Sequence, residues 1–268
     1  MTTLNRNLAP LSAAAWSAID EEAADVLKVM LAGRKLVDFK GPLGWSTSAI
    51  DTGRVEKADA AGISGVEAHF RKVQPLVELR REFELSRSEM ESIDRGAKDA
   101  ELDPVVETAR DMAIAEDSAI LKGLSGLQIE GICPAAAHGS VTLSKDYENY
   151  PAAVAQAIST LRDAGVDGPY AIALGPRCFT GLNETRVNGF PVLKHVSELV
   201  DVPPVSAPAL DGALVLTLRG GDFELSVGRD FSIGYLAHDS QSVRLFMEES
   251  FTFRVLGPEA AVPLVYSA

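Results

Sequence analysis

The residues of this chain best suited to nucleophilic or metal chemistry are four histidines (His69, His138, His195 and His238) and two cysteines (Cys133 and Cys178). None of the histidines stands at ligand spacing from a cysteine or from a second histidine. His195 and Glu198 fall one helical turn apart and would grip a metal ion edge-on, but two ligands leave a site incomplete, so a surface position is expected for the pair. Cys178 follows Pro176-Arg177, and a nearby guanidinium lowers a thiol's pKa. A nucleophile also needs a placed base, and without one a buried, inert thiol is expected. Glu116 and Asp117 have the right type for acid/base work but no partner carboxylate in the surrounding pattern, which predicts a solvated or ion-paired helix face. Gly-rich phosphate loops of the Walker or dinucleotide type are absent, and no serine sits in a nucleophile elbow. This inventory predicts a protein that is not an enzyme and has no cofactor and no metal.

The elements that would carry these residues belong to a chain of 268 residues, 46 % hydrophobic and 24 % charged. That is ordinary globular composition, with enough length for one large domain or two modest ones. A net charge of -13 leaves no basic excess to displace counterions from a phosphate backbone, which argues against nucleic acid as a partner. The opening run MTTLNRNLAPLSAAAW lacks the apolar core of a secretory signal. No apolar run approaches the ~20 residues that span a bilayer, so no membrane partner is expected either. With two cysteines in no framework pattern, a reducing, cytoplasmic setting is predicted, and the sequon Asn183-Glu184-Thr185 is an accident.

Trp16, Ile19, Ala23, Val26, Leu27 and Met30 recur at spacings of three and four, which predicts a helix capped by Ser12 and stopped at Gly33. Its stripe is expected to face the protein's own core, with a partner groove as the sharper alternative. Gly41-Pro42-Leu43-Gly44-Trp45 then breaks the chain, and the following stretch is too poor in core residues to bury much, as a loop or an extended arm would be. Val77, Leu79, Phe83 and Leu85 alternate with charges in a strand that Arg81 interrupts. Ser86 and Glu89 fit a capping box. Asp103-Pro104 supplies an N-cap and first-turn proline for a longer helix carrying Val105, Ala109, Met112, Ala113, Glu116, Ala119 and Ile120, ended by Gly123. The texture changes between Gly131 and Tyr150, which predicts entry into a second domain. There, helices open at Pro151, Pro176 and Pro191, strands fall at Tyr170 to Leu174 and between Pro204 and Pro208, and Asn188-Gly189 marks a turn. Short strands at Phe223 to Val227 and Phe231 to Tyr235 precede a long one from Val243 with one buried face. Together they predict a closing β-meander with Gly220-Gly221, Gly228 and Gly234 at turns or bulges. Without a repeating βαβ period, the class is α+β.

Several runs in this frame resemble one family. Leu8-Ala9-Pro10-Leu11 with Trp16 and Ile19-Asp20, Gly33-Arg34-Lys35-Leu36-Val37-Asp38, Gly41-Pro42 with Gly44-Trp45, Pro75-Leu76-Val77-Glu78-Leu79-Arg80 and Arg95-Gly96 are similar to the encapsulins. So are Gly165-Val166-Asp167-Gly168-Pro169-Tyr170, Arg219-Gly220-Gly221-Asp222-Phe223, Ser232-Ile233-Gly234-Tyr235, and Val243-Arg244-Leu245-Phe246 with Phe251-Thr252-Phe253. Encapsulins are bacterial and archaeal shell proteins, some called linocin-type bacteriocins, with the Hong Kong 97 phage type of major capsid fold. The resemblance implies a peripheral domain (1–40, 73–134 and 220–255), an extended loop or arm (41–72), an axial domain (135–219) and a C-terminal tail (256–268).

It also implies a role: a self-assembling icosahedral homo-oligomer of the sixty-subunit class, forming an encapsulin nanocompartment in the cytoplasm. Its partner is a cargo enzyme with a C-terminal targeting peptide, a dye-decolourising peroxidase first and a ferritin-like protein next. Carried over by position, Leu27, Met30, Arg34 and Asp38 would form one side of the peptide site, with Ile233 and Tyr235 opposite. Apolar side chains there would take peptide leucines, while Arg34 and Asp38 would offer directional polar contacts. The loop Asn183, Glu184, Thr185, Arg186, Val187, Asn188 and Gly189 would line the five-fold pore. Two other readings are a secreted bacteriocin or protease, which the missing signal and triad oppose, and a prophage major capsid protein. The latter would need a scaffold or a cleaved leader, for which Met1 to Pro10 leaves no room.

Overall fold

The computed structural model describes residues 3–58 and 65–267. Residues 59–64 of the expected arm, and the extreme ends of the Met1 to Pro10 run and of the tail, lie outside the described residues. In chain order the elements begin with α1 (Ala13–Met30), β1 (Asp38–Lys40), β2 (Ala49–Ala58), β3 (Ala68–Pro75), β4 (Val77–Ser86), α2 (Arg87–Asp94) and α3 (Asp103–Leu121). They continue with α4 (Ile132–Ala135), β5 (Val141–Leu143), α5 (Tyr150–Asp163), β6 (Tyr170–Leu174), α6 (Pro176–Glu184), β7 (Arg186–Val187), β8 (Phe190–Pro191), α7 (Val192–Ser197) and β9 (Val205–Ser206). The chain finishes through β10 (Ala213–Thr217), β11 (Phe223–His238), β12 (Ser242–Val255) and β13 (Ala261–Tyr266).

Two larger sheets organise these elements. A four-stranded sheet has the order β1-β11-β12-β4 and a five-stranded sheet the order β5-β13-β10-β6-β9. On the first sheet, Leu85 lies opposite Val243 and Phe83 opposite Leu245, so the odd-numbered side chains share one face. That face packs with Met247 against Ala15, Ile19 and Ala23 of α1 and Val105, Ala109 and Met112 of α3. Beyond Glu249 the same alternation delivers Phe251 and Phe253 to a second core. This core is shared with Leu225 and Val227 of β11, the five-stranded sheet, and α5, α6 and α7. The long strand β12 therefore threads both cores, and Glu249 stands between them.

Local chemistry explains most element ends and corrects some. The Ser12 hydroxyl accepts from Ala15 N at 3.0 Å, the expected N-cap. The helix ends at Met30, before Gly33, because Gly33 opens a 3-10 turn. The Ser86–Glu89 capping box does not form. Ser86 Oγ instead meets Ser88 Oγ, and Glu89 accepts from Glu101 N. Leu102, not Asp103, is the N-cap of α3. Arg81, opposite Met247 on the apolar face of β4, is accommodated there by pairing with Asp111 of α3.

The closing meander is also revised. Phe223 to His238 is one strand, bent where its register against β12 shifts between Val227 and Arg229, between Arg229 and Ser232, and between Tyr235 and Ala237. Gly234 lies outside those shifts and faces the Phe246 ring, which a Cβ would approach to 2.1 Å. The strands β11 and β12 form a hairpin, and the tail then leaves the sheet: Ala261 to Leu264 pair antiparallel with β10. Nor does β12 bury one face alone, since Phe246, Glu248, Ser250 and Thr252 of the other face are buried too. Arg80 covers Phe246 at 3.6 Å, and the Gly41 to Trp45 break lies over β11, with Leu43 N and Gly44 N donating to the Val227 and Gly228 carbonyls. In the stretch expected to be an arm, β2 pairs with β3 in a two-stranded ribbon exposed along most of its described length.

Candidate functional site

A groove of about 290 Å³ opens between α1, β11 and the N-terminal segment. Ala23 and Leu27, four residues apart and therefore on one helix face, supply one wall, and Phe231 and Ile233 supply the other. The N-terminal segment is held as the rim by the Tyr235 amide, which donates to the Leu4 carbonyl at 2.8 Å. Arg6 closes that rim, stacking on Trp16 at 3.9 Å and pairing with Asp20 at 2.7 Å. The groove thus offers an apolar floor with one ion pair at its edge, suited to short apolar side chains of an extended peptide.

The six residues expected to share a peptide site are only partly brought together. Leu27, half-buried, and Ile233, 4 % exposed, both line the groove. Met30 is half-buried at the end of α1, outside the groove lining. Tyr235 turns its hydroxyl to His238 Nδ1 at 2.5 Å. Asp38 accepts from Gly221 N at 2.6 Å and lines a separate depression of about 170 Å³ with Lys35 and Gly220. Arg34 points inward. Its Nε and Nη2 both donate to Glu116, at 3.0–3.1 and 2.7 Å, its Nη2 also donates to Glu249 at 2.6 Å, and its Nη1 pairs with Asp230 at 2.9 Å.

These carboxylates revise the expectation for Glu116 and Asp117. Both are buried, Glu116 is ion-paired, and a partner carboxylate does accompany it in Glu249, whose side chain is likewise 0 % exposed. Asp117 accepts from Ala32 N at 2.9 Å and Gly33 N at 2.7 Å, tying the end of α1 to α3. Burial pushes the Asp117 carboxyl up to about 6, against the two amide donors that favour its charged form. For Arg34, burial opposes the charge. The hydrogen bond to Glu116 and the pull of Glu116, Glu249 and Asp230 outweigh it and hold the guanidinium above the ordinary arginine value. A signal for Glu249 stood in the sequence: the apolar alternation of Val243, Leu245, Met247, Phe251 and Phe253 lacks one member, and the missing position is Glu249.

The remaining candidates fall elsewhere. Asn183 and Glu184 end α6, and Arg186 to Pro191 form the β7–β8 hairpin, where Asn188 and Gly189 have φ of 51° and 85°. Two successive positive φ values are the signature of a tight primed turn. His195 is half-buried behind that hairpin, with Nε2 3.5 Å from the Val187 carbonyl, while Glu198 is exposed. Cys178 is buried against the Tyr150 and Tyr266 hydroxyls. Among the described residues, no group of three or more His, Cys, Asp or Glu is arranged to hold a metal ion, and no helix is long and apolar enough to cross a membrane.

A family model described as "Encapsulating protein for peroxidase" matches residues 1–252. The chain is similar to the type 1 encapsulin shell protein of Rhodospirillum rubrum, 52 % identical over 98 % of this chain and 96 % of the relative. It is 45 % identical to that of Mycobacterium tuberculosis, over 98 % and 99 % of the two chains. Among solved structures it resembles a virus-like particle from Pyrococcus furiosus, with a TM-score of 0.65 at 14 % identity, covering 92 % of this chain and 98 % of that one. It also resembles the capsid of Myoviridae phage XM1, with a TM-score of 0.53 at 11 % identity and coverage of 86 % and 88 %. The structural likenesses show the fold alone, that of the tailed-phage major capsid proteins. The sequence likenesses carry the identity: the chain belongs to the encapsulin shell-protein family and is a structural component, not an enzyme.

Proposed function

We propose that copies of this chain, sixty to a particle, close into a cytoplasmic icosahedral shell around a dye-decolourising peroxidase whose C-terminal peptide docks in the groove between α1 and β11. The observation that carries the reading is the convergence of Leu27 and Ile233 on that groove in a chain whose family is described as encapsulating a peroxidase. Each groove is small, so one peptide binds weakly, and a guest with several tails gains by avidity. In this reading the four-stranded sheet with α1 to α3 is the peripheral domain, the β2–β3 ribbon is the arm, and the five-stranded sheet with α5 to α7 is the axial domain. The tail then belongs to the axial domain through β13, and the β7–β8 hairpin turns its Asn188-Gly189 tip toward the five-fold pore. Arg34 supports the site from beneath, through Asp230 and the adjoining Phe231, whose ring lies 4.9 Å from the guanidinium.

Size-exclusion chromatography and negative-stain imaging of the purified protein should give uniform hollow spheres, and a clean 28.5 kDa monomer would reject the shell. With a peroxidase bearing its C-terminal peptide co-expressed, Leu27→Asp should leave particles intact and lower co-purified peroxidase at least several-fold. Unchanged loading would reject the groove. Loading of a ferritin-like protein in place of the peroxidase would reassign the guest.

A further inference from the structure

The Arg34 cluster holds more negative charge than one guanidinium can balance. Glu116 and Glu249 both rest on Arg34 Nη2, at 2.7 and 2.6 Å, with their side chains wholly buried, and Asp230, 43 % exposed, takes Nη1. Fully ionised, the group would carry three carboxylates against one cation in a low-dielectric junction. Glu249 Oε2 is buried without a hydrogen-bond partner, and an ionised orphan oxygen is the costliest state such a group can adopt.

Among the described residues, the surrounding elements supply no second cation. Opposite Glu249 on β4 is Leu79, and the neighbours on its own face are Met247 and Phe251. Arg80 of β4 and Arg229 of β11 both go to Glu248, on the other face of β12. Lys35, beside Arg34, donates to the Val29 carbonyl at 3.2 Å. On α3, Arg110 is exposed, Asp111 takes Arg81, and Asp117 is engaged by the Ala32 and Gly33 amides.

We propose that Glu249 is a protonated carboxylic acid in the folded subunit at neutral pH and shares its proton with Glu116, so that Arg34, Glu116 and Glu249 pin the joint between the two cores. The proton comes from solvent as the subunit folds, and no other bond changes. It gives Glu249 a hydrogen to donate, and because both carboxylates converge on Arg34 Nη2, at 2.7 and 2.6 Å, Glu116 is the acceptor beside it, which leaves one carboxylate charge and the exposed Asp230 to face Arg34. Burial, and then the charge of Glu116, push the Glu249 carboxyl well above the usual carboxylate range. The folded subunit therefore binds one more proton than the unfolded chain. The stability this contributes is complete below the ordinary glutamate value and is lost as pH rises through the raised one. The result is a pin that loosens on the alkaline side.

Infrared spectroscopy on the assembled wild-type shell tests this directly, because a protonated carboxyl gives a C=O stretch separate from that of carboxylate. At about pH 7 the band should be present, disappear on titration to alkaline pH, and be missing from Glu249→Gln. In parallel, the wild-type melting temperature should fall across the same alkaline window. Glu249→Gln, which keeps the shape and a donor, should melt within a few degrees of wild type at neutral pH and lack that decline. Absence of the band in the wild type at neutral pH overturns the proposal without recourse to any variant. So does a folded Glu249→Gln protein that retains the band or follows the wild-type alkaline curve.

Discussion

Replacing Arg34 with alanine would leave Glu116 and Glu249 side by side in the interior without the guanidinium that now meets both. Their side chains are 0 % exposed and that of Arg34 is 18 % exposed, so solvent screens little of the interaction. Removing one partner of a buried pair costs ~3–5 kcal/mol, because an uncompensated charge remains. With Glu249 already neutral in the proposed state, a single carboxylate charge is stranded, which places the expectation near the lower figure, about 3 kcal/mol. For a subunit of this size each kcal/mol moves the melting temperature by roughly 2–4 °C, giving a drop of about 6–12 °C. Arg34→Lys should recover only part of it, since an ammonium keeps the charge but not the fork that meets Glu116, Glu249 and Asp230 together. Differential scanning fluorimetry on freshly purified protein, with size-exclusion chromatography for assembly, reads the effect in the absence of any guest. An Arg34→Ala protein that assembles and melts within about 2 °C of wild type, yet fails to load guest, would refute the reasoning. It would return Arg34 to the direct peptide contact expected from the family resemblance.

The other predictions concern the joint beside Arg34 and the hairpin. Asp117→Asn leaves one of the Ala32 and Gly33 amides facing an NH₂ group and should cost about 1–3 kcal/mol. Because burial holds the Asp117 carboxyl up to about 6, its contribution is full below the ordinary aspartate value near 3.8 and lost as pH rises through about 6. Denaturation midpoints over that interval should therefore slope differently in the variant. Gly33→Ala would bring a Cβ to 2.5 Å from Ile120 Cδ1 and 2.9 Å from Asp117 Oδ1, and such overpacking costs about 1–3 kcal/mol, measurable as a lowered melting temperature. Deleting Asn188-Gly189 removes an exposed turn and no buried side chain, so assembly and melting should not change. If the hairpin lines the pore, an enclosed peroxidase should turn over small substrates faster, as steady-state assays against the free enzyme would reveal.

Legibility in the sequence followed the range of the interactions. The Ser12 cap, the α3 stripe from Val105 to Ile120, the alternation of β12 and the Asn188-Gly189 turn rest on contacts between near neighbours or on backbone preference, so residue order alone determined them. The family resemblance supplied the α+β capsid-type fold. By contrast, β11 read as two strands because the register shifts around Arg229 and Ser232 interrupt its alternation, and only pairing with β12 restores continuity. The tail became a strand because β10, distant in sequence, offers it an edge. Leu27 and Ile233 were foreseen as partners across a docking surface and do share a groove, whereas Asp38 was drawn off to the Gly221 amide. Tertiary structure also decided the fate of Arg34. Its partners Glu116 and Glu249 lie 82 and 215 residues away, and which carboxylates reach a guanidinium depends on how α3 and β12 cross beneath it. Residue types along the chain showed that charges would need partners. Where burial removes water, only the packing of distant elements determines which partners, and which protons, they receive.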